Sequence, residues 1–360
     1  MGSLLSASVF STIDRRITDA DATAYRIRYV SQDDTGRPTP VTGVVAIPNG
    51  PAPEGGWPVV AFNHGNTGTN YDCGPSLYDG LLNQVIPIAA LLMNRFAVVA
   101  SDYAGLGGVP TQVHAFLNAP VLGRNVIDGV RAARSLRPDL STKWAAFGGS
   151  LGGLATWAAN EQAASYGSGL KLVGAAAWVP VVNTSLLPEK AMMDTLTKDQ
   201  RHLYFLAVTS MKLTTHPEIE LSDYLRGSYL RNRELLRLCV GPRVNEALSI
   251  LDKAKPADLV PSSDAEARQM KTWLDDFSVP KVKMAAPMFV VYGSADKLVD
   301  QQWVETALRQ GCALGDTIEW QLRLGEGHGD IQATAALPWV RGMFEGRRAV
   351  TMCDRLPPRS

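Results

Sequence analysis

Ser150, Asp296 and His328 are the residues around which this sequence could do chemistry. Ser150 is the centre of Gly148-Gly149-Ser150-Leu151-Gly152, a G-x-S-x-G with an apolar run before it and a run of small residues after it. That context predicts a strand, a sharp turn and a helix, the setting of a nucleophile elbow. The turn forces the serine into a strained backbone, and Gly148 and Gly152 remove side chains that would obstruct it. A serine hydroxyl is a poor nucleophile at neutral pH. A histidine within hydrogen-bond reach takes its proton during attack and returns it to the leaving group. A buried carboxylate fixes the imidazole tautomer and stabilises the imidazolium.

Asp296 closes Gly293-Ser-Ala-Asp296, just past the apolar run Met288–Tyr292, and His328 lies in Gly325-Glu-Gly-His328, past Thr317–Leu324. Both therefore fall beyond the carboxyl ends of expected strands, where α/β sheets carry functional residues. Their order along the chain, Ser then Asp then His, is that of the elbow-type arrangement. The rival histidines fit other roles. His64 belongs to a strand-end turn, His114 to a loop, and His202 and His216 to a helical region in which they read as surface or packing residues. Asp300 is further from its strand end than Asp296, and Asp102 precedes Ser150, which suits a structural hydrogen bond. An oxyanion needs two backbone N–H donors: one from Leu151, after the nucleophile, and one from an earlier strand-end loop. His64-Gly65-Asn66-Thr67-Gly68 is that loop, with Asn66 the expected donor and Thr67 next in line.

The elements that must hold these turns read as an α/β sheet. An N-terminal hairpin pairs Ala24–Val30 with Val41–Ile47. Short, continuous apolar runs follow at Trp57–Phe62, Phe96–Ala100, around Trp144, at Leu170–Trp178 and at Met288–Tyr292, as expected of strands covered on both faces. Helical patterns lie between them at Leu81–Met93, Val121–Leu136 and Gln302–Gln310, and a final helix at Asp330–Phe344 precedes a short tail carrying Cys353. Between residues 183 and 283 strand patterns vanish. Helical stretches at Lys190–Lys212, Ser222–Cys239, Glu246–Lys253 and Asp264–Phe277 are punctuated by Pro217, Pro242, Pro256 and Pro261. The expected organisation is a core of residues 1–182 and 284–360, a mostly parallel sheet with helices on both faces, and an inserted helical cap of residues 183–283.

Composition excludes several function classes. The chain has 360 residues with 35 basic and 35 acidic side chains, so nothing favours nucleic acid or an anionic surface. The apolar stretches Val85–Met93, Phe96–Ala100 and Leu172–Val182 fall short of the roughly 18 residues a membrane helix needs, which predicts a soluble chain. Met1-Gly-Ser-Leu-Leu shows neither the basic region nor the apolar core of a secretion signal. Cys73, Cys239, Cys312 and Cys353 form no C-x-x-C, which argues against a zinc site. By themselves they read equally as two disulfides of an exported protein or as four reduced, buried thiols.

Ala61-Phe-Asn-His64-Gly-Asn-Thr-Gly68, with Cys73-Gly-Pro-Ser76 after it, resembles the His-Gly-Thr-Thr-Gly and Cys-Ala-Pro-Ser segments of the secretory lipase family, which includes bacterial exported lipases and esterases and fungal lipases of the Candida antarctica lipase A type. Asp102-Tyr-Ala-Gly-Leu-Gly107 and Ser150-Leu-Gly-Gly153 are similar to further segments of that family, and Gly293-Ser-Ala-Asp296 and Gly327-His328-Gly329 fit its acid and base motifs. The resemblance implies an α/β-hydrolase fold with a helical cap, hydrolysis of small-molecule or lipid carboxylic esters by Ser150, His328 and Asp296, no cofactor, no metal, and a secreted or periplasmic location. It also implies the pairing of Cys312 with Cys353 and of Cys73 with Cys239. Leu151 and Asn66 depart from the family's usual glutamine and threonine. Because both supply backbone N–H groups, the change falls on pocket shape. The same residues could serve acyl transfer or amide and peptide cleavage. A non-catalytic binding protein of this fold would normally have lost one of them. Leu203, Phe205, Leu206, Met211 and Leu213 are candidate lining of an acyl tunnel, although most are expected to pack the cap onto the core.

Overall fold

A computed structural model describes residues 1–241 and 243–356; Pro242 therefore lies outside the described residues. The strands are β1 (Leu4–Val9), β2 (Ala22–Gln32), β3 (Pro38–Pro48), β4 (Trp57–Asn63), β5 (Ala97–Ser101), β6 (Leu140–Gly149), β7 (Lys171–Trp178), β8 (Met288–Gly293) and β9 (Ile318–Arg323). They form one sheet in the order β1-β2-β3-β5-β4-β6-β7-β8-β9. The first four in that order pair antiparallel, and from β5 to β9 all pairs are parallel.

Strand alternation sends side chains to two covered faces. In β4, Val59 and Ala61 face one core while Val60 and Phe62 face the other. The helices on the second face are α1 (Arg15–Asp19), α2 (Val85–Met93) and, from the chain's end, the last helix Leu337–Phe344. The first face carries α3 (Ala119–Leu136) and α4 (Leu151–Tyr166). Asn118 caps α3 by accepting from the Val121 N–H at 3.2 Å, and the apolar stripe Leu122, Val126, Ile127, Val130 is buried beneath it.

Between β7 and β8 come α5 (Leu187–Met192), α6 (Lys198–Leu213), α7 (Gly227–Arg231), α8 (Arg233–Leu236), α9 (Val244–Lys253) and α10 (Asp264–Asp276), with no strand among the described residues. The stretch 190–212, expected as one helix, is two. Thr197 starts α6 with a capping box, its side chain accepting from the Gln200 N–H while the Gln200 side chain accepts from the Thr197 N–H. The core under these helices is continuous with the core of the sheet. After β8, α11 (Gln301–Ala313) leads to β9, and α12 is the Leu337–Phe344 helix already described. α12 begins later than the expected Asp330, after a short turn at Ala333–Ala335. Among the described residues no helix is long and apolar enough to cross a membrane.

Two disulfides join distant parts of the chain, Cys73 to Cys239 and Cys312 to Cys353. The second pins the C-terminal segment to the end of α11. The first ties the loop after β4 to the segment after α8. β1 was not among the expected strands: Leu5, Ser6, Ala7, Ser8 and Val9 alternate apolar and polar types, but they stand exposed at the sheet edge and only Leu4 is partly buried.

Candidate active site

The carboxyl ends of β4, β6, β8 and β9 converge, and the residues singled out from the sequence lie just past them. Ser150 sits between β6 and α4 with φ 58° and ψ −123°, a conformation a residue with a side chain pays to adopt. The surroundings hold it there. The Ser150 N–H donates to the Trp178 carbonyl, and its own carbonyl accepts from the Gly153, Leu154 and Val181 N–H groups. Gly152 permits the elbow to press on the neighbouring strand. A Cβ there would run into the Asn63 carbonyl and stand 2.8 Å from the His64 carbonyl oxygen.

His328, four residues past Leu324 in the β9 turn, puts Nε2 2.8 Å from Ser150 Oγ and Nδ1 2.8 Å from Asp296 Oδ2. A carboxylate only accepts, so it selects the tautomer with the proton on Nδ1. Nε2 is then left to accept from the serine hydroxyl. Asp296 is itself held. Its Oδ1 accepts from the Leu298 N–H at 2.8 Å and the Val299 N–H at 2.9 Å, and its side chain is 2% exposed against 22% for His328. Asp300 is turned away to the helices beyond, accepting from Lys190 Nζ at 2.5 Å and Gln200 Nε2 at 2.8 Å.

The loop after β4 lies against the serine: a Cβ on Gly65 would be 3.6 Å from Ser150 Cβ. His64 sets Nδ1 2.7 Å from the Gly65 carbonyl oxygen and Nε2 3.3 Å from the Asp102 carbonyl oxygen, and its ring rests on Tyr103 with centroids 4.4 Å apart. Burial lowers the His64 pKa. Behind it, Asp102 accepts from Thr42 Oγ1 at 2.5 Å, from the Ser76 N–H at 2.9 Å, and from the Ser76 hydroxyl. Burial raises its pKa. His114, also buried, has its pKa pushed down to about 4 by burial, and its Nδ1 faces the Ala104 carbonyl at 3.1 Å. His216 stacks on Trp273 and pairs with Glu218. Neither His114 nor His216 reaches the serine.

A cavity of about 250 Å³ opens over Ser150 and His328. Asn66 and Leu151 form its floor beside them, and Leu203 and Leu206 of α6 its wall. Of the other three tunnel candidates, Phe205 and Met211 are buried in the core and Leu213 is exposed. The sequence reading missed Phe116, Val181, Leu298, and Leu248 and Leu251 of α9, which complete the wall. The helical period of Glu246–Lys253 marks an apolar face, but not what it faces. His202, read as a surface or packing residue, also lines the cavity. Among the described residues the only grouping of metal-ligating side-chain types is Asp72, Cys73 and Cys239. Both its sulfurs are spent in the disulfide, leaving no thiolate to ligate.

Residues 81–196 match the model of the secretory lipase family, in agreement with the resemblance read from the sequence motifs. No curated protein matches the chain. Among solved structures it is similar to Candida antarctica lipase A in its closed state, with a TM-score of 0.77 and 19% identity over 99% of this chain and 85% of that one. It is also similar to the rice cell wall degrading esterase LipA from Xanthomonas oryzae, with a TM-score of 0.74 and 18% identity over 99% of both chains. The fold is that of an α/β-hydrolase. The family match supports an ester hydrolase acting on a small ester, and with the two disulfides it fits an extracellular or periplasmic protein.

Proposed function

We propose that this chain is a serine carboxylic ester hydrolase, a lipase or carboxylesterase, that works through an acyl-enzyme. The observation that carries the reading is the hydrogen-bonded series Ser150 Oγ, His328 Nε2, His328 Nδ1 and Asp296 Oδ2, with both links at 2.8 Å, opening into an apolar cavity. Ser150 attacks the ester carbonyl while His328 takes its proton. The imidazolium is stabilised by the buried Asp296 carboxylate and then protonates the departing alcohol. Water, activated by His328 in turn, releases the acid.

The tetrahedral oxyanion is held by the N–H groups of Leu151 and Asn66. The first sits at the start of α4, where the helix has unpaired N–H groups and a positive end. Asn66 is favoured by its place on the cavity floor, with its side-chain Oδ1 tied back to the Gly68 N–H at 3.0 Å so that the loop is fixed. Each donor contributes about 3 kcal/mol to the transition state. Residues 183–283 act as a cap on the core of residues 1–182 and 284–360, and its helices α6 and α9 decide which ester enters. The protein works outside the cytoplasm, where its disulfides persist.

The test is turnover of p-nitrophenyl butyrate together with labelling by a fluorophosphonate. The wild type is expected to do both and a Ser150→Ala protein neither. Full activity in that variant refutes the assignment.

A further inference from the structure

We propose that His202 is a specificity residue, its Nδ1 accepting a hydrogen bond from a hydroxyl group on the ester bound in the catalytic cavity. This rests on the ester-hydrolase reading above and narrows its substrate class to hydroxylated esters.

The tautomer follows from geometry. His202 Nε2 lies 3.1 Å from the Leu236 carbonyl oxygen, which can only accept, so Nε2 carries the proton. Burial lowers the pKa of the ring, so it is neutral at neutral pH and Nδ1 is left with a lone pair. Among the described residues no donor is bonded to that nitrogen. The ring is fixed in place by the Leu236 bond and by stacking on Phe205, with centroids 6.3 Å apart and planes at 22°.

Its position is the second argument. His202 lines the cavity that holds Ser150 and His328, and also a neighbouring hollow of about 60 Å³ lined by Gly68 and Cys239. The wall around it is mostly apolar, with Phe116, Leu203, Leu206, Leu248 and Leu251, and Asn66 is the polar residue that lines both hollows with it. The two charged lining residues, Lys198 and Asp199, are exposed, and Lys198 is paired with Asp252. An unpaired acceptor in a mostly apolar wall is costly when unmatched and selective when matched. A hydroxyl is the donor that suits it. It satisfies the nitrogen without bringing a second charge into the cavity; the one carboxylate of the lining, Asp199, is exposed, and its charge acts on the His202 ring.

The hydroxyl can belong to the acyl chain or to the alcohol, and paired substrates separate the two. For the acyl arm, kcat/KM is measured for p-nitrophenyl butanoate, hexanoate and octanoate and for their ω-hydroxy counterparts. For the alcohol arm, butyl butyrate is compared with 4-hydroxybutyl butyrate by pH-stat. The readout is the ratio of hydroxylated to plain substrate.

In the arm whose hydroxyl reaches Nδ1, the ratio is expected to fall about threefold to tenfold from wild type to His202→Leu, each variant's plain ester serving as its own reference. His202→Gln keeps a donor for the Leu236 carbonyl and an acceptor for the ligand, and is expected to restore the ratio. Fluorophosphonate labelling reports that each variant is folded, and His202→Phe serves as a second apolar variant if His202→Leu does not fold. Turnover of plain esters with ratios unchanged in both arms overturns the proposal alone. A wild type that turns over neither ester overturns the ester-hydrolase reading with it.

Discussion

Replacing Asp296 by asparagine tests the proposed chemistry more sharply than removing the side chain. The two residues are nearly the same shape, so what changes is the proton map. Asp296 Oδ1 accepts two backbone N–H groups, from Leu298 at 2.8 Å and Val299 at 2.9 Å. An amide placed there must keep its oxygen on those two donors, because turning it round would set N–H against N–H. Its NH2 group is thereby aimed at His328 Nδ1, 2.8 Å away in the wild type. Nδ1 must then accept, the imidazole proton moves to Nε2, and Nε2 faces Ser150 Oγ as a donor instead of an acceptor. The general base is lost with the geometry intact. A wrong tautomer of this kind costs about 10⁴ in kcat, or about 5 kcal/mol of transition-state free energy. The expected result for Asp296→Asn is therefore a fall of about four decades in kcat on p-nitrophenyl butyrate, with KM and thermal stability close to wild type. Retention of kcat to within about tenfold would refute the assigned roles of Asp296 and His328. A comparable loss in Asp300→Asn would refute the choice between the two acids.

Gly152→Ala is expected to destabilise the fold by about 1–3 kcal/mol, read as a lower midpoint in urea, because its methyl group meets the Asn63 carbonyl across a backbone contact that cannot open without moving β4. Wild-type stability in this variant would mean that the elbow does not press on the strand. Glu161, buried on α4 and accepting from the Lys281 N–H at 2.8 Å, has its pKa raised by burial to about 7. Its folded pKa lies above its unfolded value. Its contribution is therefore fully present below about pH 4.5 and is lost as pH rises through about 7. Glu161→Gln, which cannot ionise, should gain on the wild type by up to about 3 kcal/mol between pH 5 and pH 8 in urea titrations. A difference independent of pH would show that the carboxyl is not held protonated by its surroundings.

The sheet was largely legible from the sequence because its strands are short and apolar on both faces, a composition that surface strands do not share. β4, β5, β7 and β8 came within a residue or two of their expected limits. Helix breaks were less legible. The division of 190–212 depends on the capping box at Thr197, whose Thr and Gln lie inside an otherwise helical pattern. β1 has no buried face, and its short alternation from Leu5 to Val9 covers no core.

What the sequence determined by itself is local and ordinal: a serine in a glycine-rich strand-to-helix turn, and an acid and a histidine following it past later strand ends. These are properties of spacing, and a turn of a given kind demands its residue types wherever it occurs. What only the tertiary structure decided is convergence. Residues 150, 296 and 328 meet because parallel strands bring their carboxyl ends to one edge. Asp296 and not Asp300 faces the histidine because two backbone N–H groups hold the first, while α5 and α6 claim the second. The cavity wall belongs to the same class. Leu203 and Leu206 face the serine while Phe205 and Met211 face the core. Their hydrophobicity is the same, and only the rotation of α6 against the sheet distinguishes a pocket residue from a packing one.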